Sequence, residues 1–410
     1  MSGTVQKQLA INLGFTLVKS IFILLSFRLA DMMLSAQMMG LVLLFRRQGA
    51  LWSNLAQLGF SQILLKYYVS SDNKEKQSQL WSILLRLLAV VLTGLILACI
   101  IFAEQINPWL FPAAPTSVSA VFGLYVAGLA LGFLANSSWL SEFRFVEANL
   151  IDWYHGSLLF VVCLLIGSKL EIDVFSLLLA GFTIVASLFS LWFFARRMGY
   201  QRKLFGYDSW SLEKKICHYG FSRALTAYVD MATLVIGPWF LRDEPAQAAQ
   251  FIAAYTVLRI AQTLVLPIAQ VLVLRANSQL YNKKKEKRRI LLMAIIVFIL
   301  SWFGVALYYQ LGDVLIAIWL PSSSTEVMSI LDELMPYMPA ICMFYGLRNF
   351  IDINYSQPWN LLALLFSLLA FLISFYLNDG SVFSSVLEAS RSMFLVYYIY
   401  SGFFIYKLWR

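Results

Sequence analysis

The chain reads as an all-α, polytopic membrane protein of about twelve transmembrane helices, arranged as two six-helix bundles around a central cavity. Three observations predict this. Of the 410 residues, 60% are hydrophobic and only 13% are charged, with a mean hydropathy of +0.73, outside the range of a soluble domain. The apolar residues fall into about a dozen stretches of membrane-spanning length, separated by polar loops that are mostly short. The basic residues sit mostly in alternate loops, so the net charge of +9 reads as membrane topology and not as a nucleic-acid surface.

The expected spans follow in order. The first, residues 9–30, follows Lys7 as a signal peptide would, but it is too long, carries Lys19 and lacks a small-residue cleavage site. It is expected to stay as the first helix. The second, 38–65, carries Arg46 and Arg47 about ten residues in, which at 1.5 Å per residue is near the bilayer centre. A guanidinium cannot be deprotonated there, so it must be paired or must line a wet cavity, and the usual reason to keep it is an anionic partner. The remaining spans are expected at 80–103, 118–140, 151–167 and 174–195, and then at 216–241, 248–274, 290–311, 327–347, 359–377 and 382–406.

An even number of spans puts both termini on one side. Loops on that side hold about twenty basic residues, against two, Lys169 and Arg242, on the other, so both termini are expected in the cytoplasm. The longest polar connection lies mid-chain. It divides an N-terminal bundle, 1–198, from a C-terminal bundle, 216–410, through a cytoplasmic connecting loop, 199–215. A weak internal echo supports the division. FRRQGALWSNLAQLGFSQILLKYY in the second span matches YTVLRIAQTLVLPIAQVLVLRANSQLY in the eighth at an offset of roughly 212 residues. Each stretch has a mid-membrane arginine, a helix-weakening residue (Gly59 or Pro267), a tyrosine at the exit and a basic loop. Parallel repeats around a midplane substrate site are a recurring transporter architecture.

No soluble-enzyme motif is present: there is no GxxxxGK[ST], HExxH or GxSxG. Cys99, Cys163, Cys217 and Cys342 lie in apolar segments without CxxC spacing, and the histidines are two, so no metal site and no cofactor are expected. What remains is intramembrane charge: Lys19, Arg46, Arg47, Arg86, Arg223, Asp230, Arg259, Glu388 and Arg391. Arginine and lysine predominate. Lys19, Arg46, Asp230 and Arg259 lie nearest the midplane and come from spans one, two, seven and eight. A cleft lined by those helices is cationic and suits a polyanion.

Alternatives stand beside each assignment. Arg46 and Arg47 point about 100° apart, so one can pair structurally while the other meets substrate. Lys19 either reaches Asp230 or faces the cavity. Asp230, one face and roughly 10 Å along from Arg223, is a candidate for ion coupling or else balances charge in a salt bridge. Glu388 and Arg391 are spaced to neutralise each other. Asn136, Ser137, Ser138 and Gly128-x-x-x-Gly132 read as helix-packing features. Pro267, Pro336 and Pro339 are candidate kinks. The run KKKEKRR from Lys283 is an orientation signal that can also hold anionic lipid headgroups.

The segment FTLVKSIFILLSFRLAD from Phe15, followed by GLVLLFRRQ and LGFSQILLKYYVSSDNKEKQ, resembles the opening two helices of bacterial Wzx-type oligosaccharide flippases, including the enterobacterial common antigen branch. The stretch AAYTVLRIAQTLVLPIAQVLVLRANSQLY resembles the family's eighth helix. The resemblance implies a multidrug/oligosaccharidyl-lipid/polysaccharide (MOP) exporter superfamily fold in the bacterial inner membrane. It also implies movement of an undecaprenyl-pyrophosphate-linked oligosaccharide, such as an O-antigen unit, from the cytoplasmic to the periplasmic leaflet. Lys19 matches the lysine of TLVK, Arg28 a basic residue near the end of helix one, and Arg46 the helix-two arginine, the cavity residues that hold the pyrophosphate. The loop ADMMLSAQMMG lacks the family's glycine-rich turn, which leaves the position of Arg28 open.

The candidate substrate-binding set is therefore Lys19, Arg28, Arg46, Arg47, Arg223 and Arg259. Trp52, Tyr228, Tyr255 and Tyr345 are candidates for stacking on sugar rings. The expected partners are the lipid-linked glycan, membrane lipids, and the polysaccharide polymerase and chain-length regulator. Two other classes were weighed. A cation-coupled drug or metabolite antiporter of the same superfamily favours a carboxylate-lined pocket, against the basic excess here. A membrane glycosyltransferase or polymerase needs large external loops, and none here exceeds about fifteen residues.

Overall fold

The structure is a computed structural model that describes the backbone of residues 2–69, 71, 73–200, 214–276, 283–354 and 358–409; within these, side chains at 2–13, 215, 264, 266–276, 283–290, 349–350, 352–354 and 408–409 are not described. Every element among the described residues is helical. In order they are α1 (Ser2–Met33), α2 (Ala36–Ala56), α3 (Phe60–Ile63) with a π-helical turn Leu64–Tyr68, α4 (Lys74–Ile101), α5 (Ala103–Leu110) and α6 (Thr116–Ser141). Then come α7 (Phe145–Trp153), a second π turn Tyr154–Leu158, α8 (Leu159–Gly167), α9 (Ile172–Met198), α10 (Lys214–Phe240) and α11 (Pro245–Ala276). The last are α12 (Lys283–Trp319), α13 (Ser324–Leu334), a 3-10 turn Met335–Tyr337, α14 (Met338–Asn354), α15 (Trp359–Leu377) and α16 (Val382–Trp409).

Each of the twelve expected spans coincides with one helix or with consecutive helices. Seven segments are long and apolar enough to cross a membrane by length and composition alone: Lys74–Ile101, Thr116–Ser141, Phe145–Gly167, Ile172–Met198, Leu291–Trp319, Ser324–Arg348 and Trp359–Leu377. The long helices outside that set are α1, α2, α10, α11 and α16, which between them carry most of the in-span charges. Large apolar side chains face outward along the helices, among them Phe189 at 63% and Phe303 at 60% exposed. Such surface is stable against lipid tails and not against water.

By packing, the chain forms two units. One comprises Met33–Met231 with Arg242–Pro245; the other comprises Met1–Met32, Ala232–Leu241 and Ala246–Arg410. These differ from the halves expected from the loop pattern in two places: α1 packs with the C-terminal helices, and the part of α10 up to Met231 packs with the N-terminal ones. Most of the expected connecting loop, residues 201–213, lies outside the described residues, as do the side chains of Pro267 and of the basic run at 283–289.

The N-terminal unit is built around α6, whose small residues let neighbours approach closely. A Cβ on Gly128 would stand 2.9 Å from the α9 backbone at Ile184, and one on Gly132 would stand 2.8 Å from the His155 ring. Ser187 on α9 donates to the Gly128 carbonyl at 2.7 Å. The expected packing role of Gly128-x-x-x-Gly132 is what the structure shows. Asn136 donates to Ala148 O at 2.7 Å and Ser138 Oγ accepts from Trp81 at 3.0 Å, so that polar run also joins helices. The short helix α5 has no counterpart in the expected spans. Its Asn107 bridges the turn into α6, donating to Ala114 O and accepting from Ser119 Oγ, both at 2.8 Å.

The second expected span is broken. Leu58 (φ 49°) and Gly59 (φ 76°) are both left-handed, ending α2 and starting α3. A Cβ at Gly59 would collide with the backbone of Gly220 on α10, so glycine is required there by conformation and by contact. The tenth span is broken too, at the 3-10 turn that holds Pro336, whose carbonyl accepts from Tyr398 at 2.6 Å. By contrast α11 is helical without interruption across Pro267.

In the C-terminal unit α1 is tied to the end of α12. Trp319 Nε1 donates to Leu24 O at 2.8 Å. The buried Asp31 carboxylate accepts from Ser322 N at 2.9 Å and from Ser323 Oγ at 2.7 Å. Asp31 thereby covers the start of the following turn instead of standing in a loop. Phe344 and Tyr397 stack at 4.4 Å at the centre of this unit.

Candidate functional site

The candidate charges divide between the two units: Arg46, Arg47, Arg223 and Asp230 lie in the N-terminal one, and Lys19, Arg28 and Arg259 in the C-terminal one.

On α2 the two adjacent arginines have different surroundings. Arg46 Nη2 donates to Gly156 O at 2.8 Å, and its guanidinium lies 3.9 Å above the Phe160 ring. Gly156 belongs to the π turn between α7 and α8, where the helical hydrogen-bond register is interrupted and carbonyls need outside donors. Arg46 therefore fastens α2 to that turn. Arg47, about 100° round the helix, is half-buried. His155, in the same π turn, meets Ser187 Oγ through Nε2 at 3.0 Å. Its place is in the packing of that turn against α6 and α9.

The N-terminal half of α10 runs along α2 and α3. Trp52 and Tyr228 meet edge-to-face at 6.3 Å, and Tyr67 and Tyr219 at 5.7 Å. Arg223 lies 5.6 Å from the Tyr219 ring and Lys66 Nζ lies 3.9 Å from the same ring. Two cations thus lie near one aromatic ring in the first half of α10. Sequence reasoning took Lys66 only as a topology marker. The pattern KYY, a lysine beside two tyrosines, was the available signal. Asp230 is half-buried on α10, two turns further along.

Beside this group a polar knot ties the π turn Leu64–Tyr68 to the ends of α6 and α9. The Tyr68 hydroxyl donates to the Glu142 carboxylate and meets the Tyr200 hydroxyl at 2.7 Å. Burial pushes the Tyr68 hydroxyl well above the usual tyrosine range, and its hydrogen bond to Glu142 pushes the same way, so it stays a neutral donor.

In the C-terminal unit Arg28 donates through Nη1 to Ile318 O, in the last turn of α12. The resemblance assigned Arg28 to pyrophosphate; the structure has it satisfy a helix-end carbonyl, beside the Asp31 contacts. Lys19 is half-buried on α1. Arg391 bonds Glu388 at 2.7 Å, as its spacing predicts, and also pairs with Glu333 of α13.

Arg259 lines a small cleft. Tyr255, Arg259 and Gln262 form one face of α11, opposite Tyr345 of α14 and Phe394 and Tyr397 of α16. Tyr255 OH donates to Ser390 Oγ at 2.6 Å, which fixes that wall. Among the described residues no group of three or more His, Cys, Asp or Glu side chains is placed to hold a metal ion.

This all-helical fold is like those of MATE transporters and of the lipid II flippase MurJ. The chain is similar to an inward-facing multidrug resistance MATE family transporter of the MOP superfamily, with TM-score 0.71 and 13% identity over 98% of each chain. It is also similar to the lipid II flippase MurJ in an inward closed conformation, with TM-score 0.76 and 12% identity over 96% of this chain and 87% of that one. A third neighbour is the Vibrio cholerae MATE transporter VcmN, with TM-score 0.65 and 13% identity over 99% and 98% of the two chains. No protein-family model and no curated protein matches the chain.

Proposed function

We propose that this protein is a Wzx-type flippase that carries an undecaprenyl-pyrophosphate-linked oligosaccharide from the cytoplasmic to the periplasmic leaflet by alternating access along a cationic path. It acts in the bacterial inner membrane with both termini in the cytoplasm, alongside the polysaccharide polymerase and chain-length regulator, without covalent chemistry. The observation that carries the reading is the charge on α1, α2, α10 and α11. Within their expected spans these helices hold Lys19, Arg28, Arg46, Arg47, Arg223 and Arg259, against the single carboxylate Asp230. An arginine at the centre of a spanning helix costs about 2.5–3.5 kcal/mol on insertion scales, so such a set persists where it grips an anion. A pyrophosphate head cannot cross hydrocarbon unaided, and a guanidinium fork can hold its oxygens bidentately. Arg47, Arg223 and Arg259, with Lys19, are the residues assigned this role. Arg28 and Arg46 are assigned to holding the fold.

The MATE neighbours favour a second reading, a cation-coupled drug or metabolite antiporter, in which Asp230 would bind the coupling ion. The basic excess on the same helices weighs against a cationic substrate. The test is replacement of Arg47 and Arg259 by alanine, followed by measurement of surface polysaccharide in cells where the protein inserts normally. The flippase reading expects glycan output to fall about tenfold or more. Unchanged output, together with drug efflux that Asp230→Asn abolishes, would decide for the antiporter.

A further inference from the structure

We propose that the outward face of α9 binds one anionic phospholipid, its phosphate on Arg196 and Arg197 and an acyl chain laid along the apolar stripe that leads up to them. The proposal is independent of what the protein transports. It starts from the last turn of α9. Arg196 and Arg197 are both exposed there, and among the described residues neither has a hydrogen-bond or carboxylate partner. An arginine at a helix C-terminus ordinarily serves the last carbonyls of its own helix. Here that need is met, since Gly199, left-handed at φ 72°, donates its N–H to Ala195 O and Arg196 O. The Arg196 guanidinium lies instead 5.3 Å from the Trp192 ring, which positions its fork and leaves the N–H groups at its edge for an anion.

The stripe supplies the rest of the site. Val185, Phe189, Trp192 and Arg196 recur at i, i+4, i+7 and i+11, so they share one side of the helix, and all four are exposed. Phe189 lies 5.8 Å from Trp192 and stacks parallel to the exposed Phe193 at 6.5 Å, making a continuous aromatic surface. The packed side of α9 is another one, where Ser187 reaches the Gly128 carbonyl. Val185 and Arg196 are about three turns apart, roughly 16 Å of helix, against about 15 Å for the hydrocarbon of one leaflet. Headgroup and chain of a single phospholipid thus match arginines and stripe in order and in length. Two adjacent cations also select a headgroup of net negative charge over one that carries its own ammonium. A second copy of the chain fits this face worse: the membrane fixes its orientation, so a symmetric contact would set two further arginines at the same height.

The test uses the full-length protein in nanodiscs of phosphatidylcholine and phosphatidylglycerol, with one of the two lipids brominated on its acyl chains at a time. The quenching of Trp192 is read as the difference between wild type and Trp192→Phe. At equal mole fraction brominated phosphatidylglycerol is expected to be preferred at Trp192 over brominated phosphatidylcholine, each arginine contributing about fivefold to the preference. Arg196→Gln is expected to lower the preference about fivefold, and Arg196→Gln combined with Arg197→Gln to abolish it; the single variant carries the reading should the double one fail to insert. Equal quenching by the two lipids in the wild type, or a preference that the variants retain, overturns the site. Quenching by neither lipid would mean that a second copy covers the stripe. Displacement of phosphatidylglycerol by an equimolar polyprenyl phosphate would assign the face to a polyprenyl lipid. Either of those results overturns the proposal as well.

Discussion

The second and eighth spans look alike in sequence and differ in structure. Both carry a mid-membrane arginine followed by a helix-weakening residue. In α2 the arginine is spent on the Gly156 carbonyl and the Phe160 ring, and the helix breaks at Leu58 and Gly59. In α11 the arginine lines a cleft, and the helix is uninterrupted across Pro267. The difference teaches that an arginine at membrane depth marks either a structural tie or a ligand contact, and that its neighbours across the fold decide which. A π turn with a carbonyl in reach claims the first, and aromatic side chains surround the second.

The largest effect that would break this comparison is expected at Gly59. Gly59→Ala places a side chain at φ 76° and onto the Gly220 backbone, so the folded yield in membranes should collapse, with stability falling by about 3 kcal/mol or more. Thermal unfolding in detergent checks it; a variant that unfolds like the wild type would mean that the break in α2 can be abandoned without cost. Arg46→Leu comes next. It removes the donor to a part-buried carbonyl and the cation over Phe160, and should cost about 1–3 kcal/mol of stability. At matched folded amounts, Arg259→Leu should lower transport about tenfold or more and Arg46→Leu far less. Equal losses in both would erase the distinction between the two helices.

The smallest effect concerns the polar knot at Tyr68, Glu142 and Tyr200. Tyr68 has its hydroxyl pKa raised on folding, so the stability it adds is fully present below the unfolded value near 10 and is lost as pH rises above it. Tyr68→Phe should cost about 1 kcal/mol at neutral pH and flatten the fall in stability between about pH 10 and 11. An unchanged alkaline profile would place that sensitivity elsewhere.

Most of the helical order was legible because hydropathy and loop charge are local properties. All twelve expected spans fall on helices, and the spacing of Glu388 and Arg391 gave their pairing. Glu333, the second partner of Arg391, comes from a distant helix and left no local trace. The break at Leu58 was hidden for a similar reason, since a leucine in a left-handed conformation is imposed by packing and not signalled by its type. The roles of Arg46 and Arg28 depend on carbonyls contributed by residues 156 and 318, far along the chain. Sequence alone showed that Arg46 and Arg47 point differently, and the fold was needed to supply the partners of Arg46. The cleft at Arg259 was half legible: Tyr255 and Tyr345 were candidate sugar contacts, whereas Gln262 drew no notice because a lone glutamine in a span has no distinguishing neighbour.

The most direct measurement is the rate at which an undecaprenyl-pyrophosphate-linked oligosaccharide crosses the bilayer of proteoliposomes containing purified protein, comparing wild type with Arg259→Gln at matched insertion and thermal stability. A fall of about tenfold or more with stability unchanged is the predicted result. Transport at the wild-type rate by Arg259→Gln would contradict the claim that this guanidinium grips the passing anion.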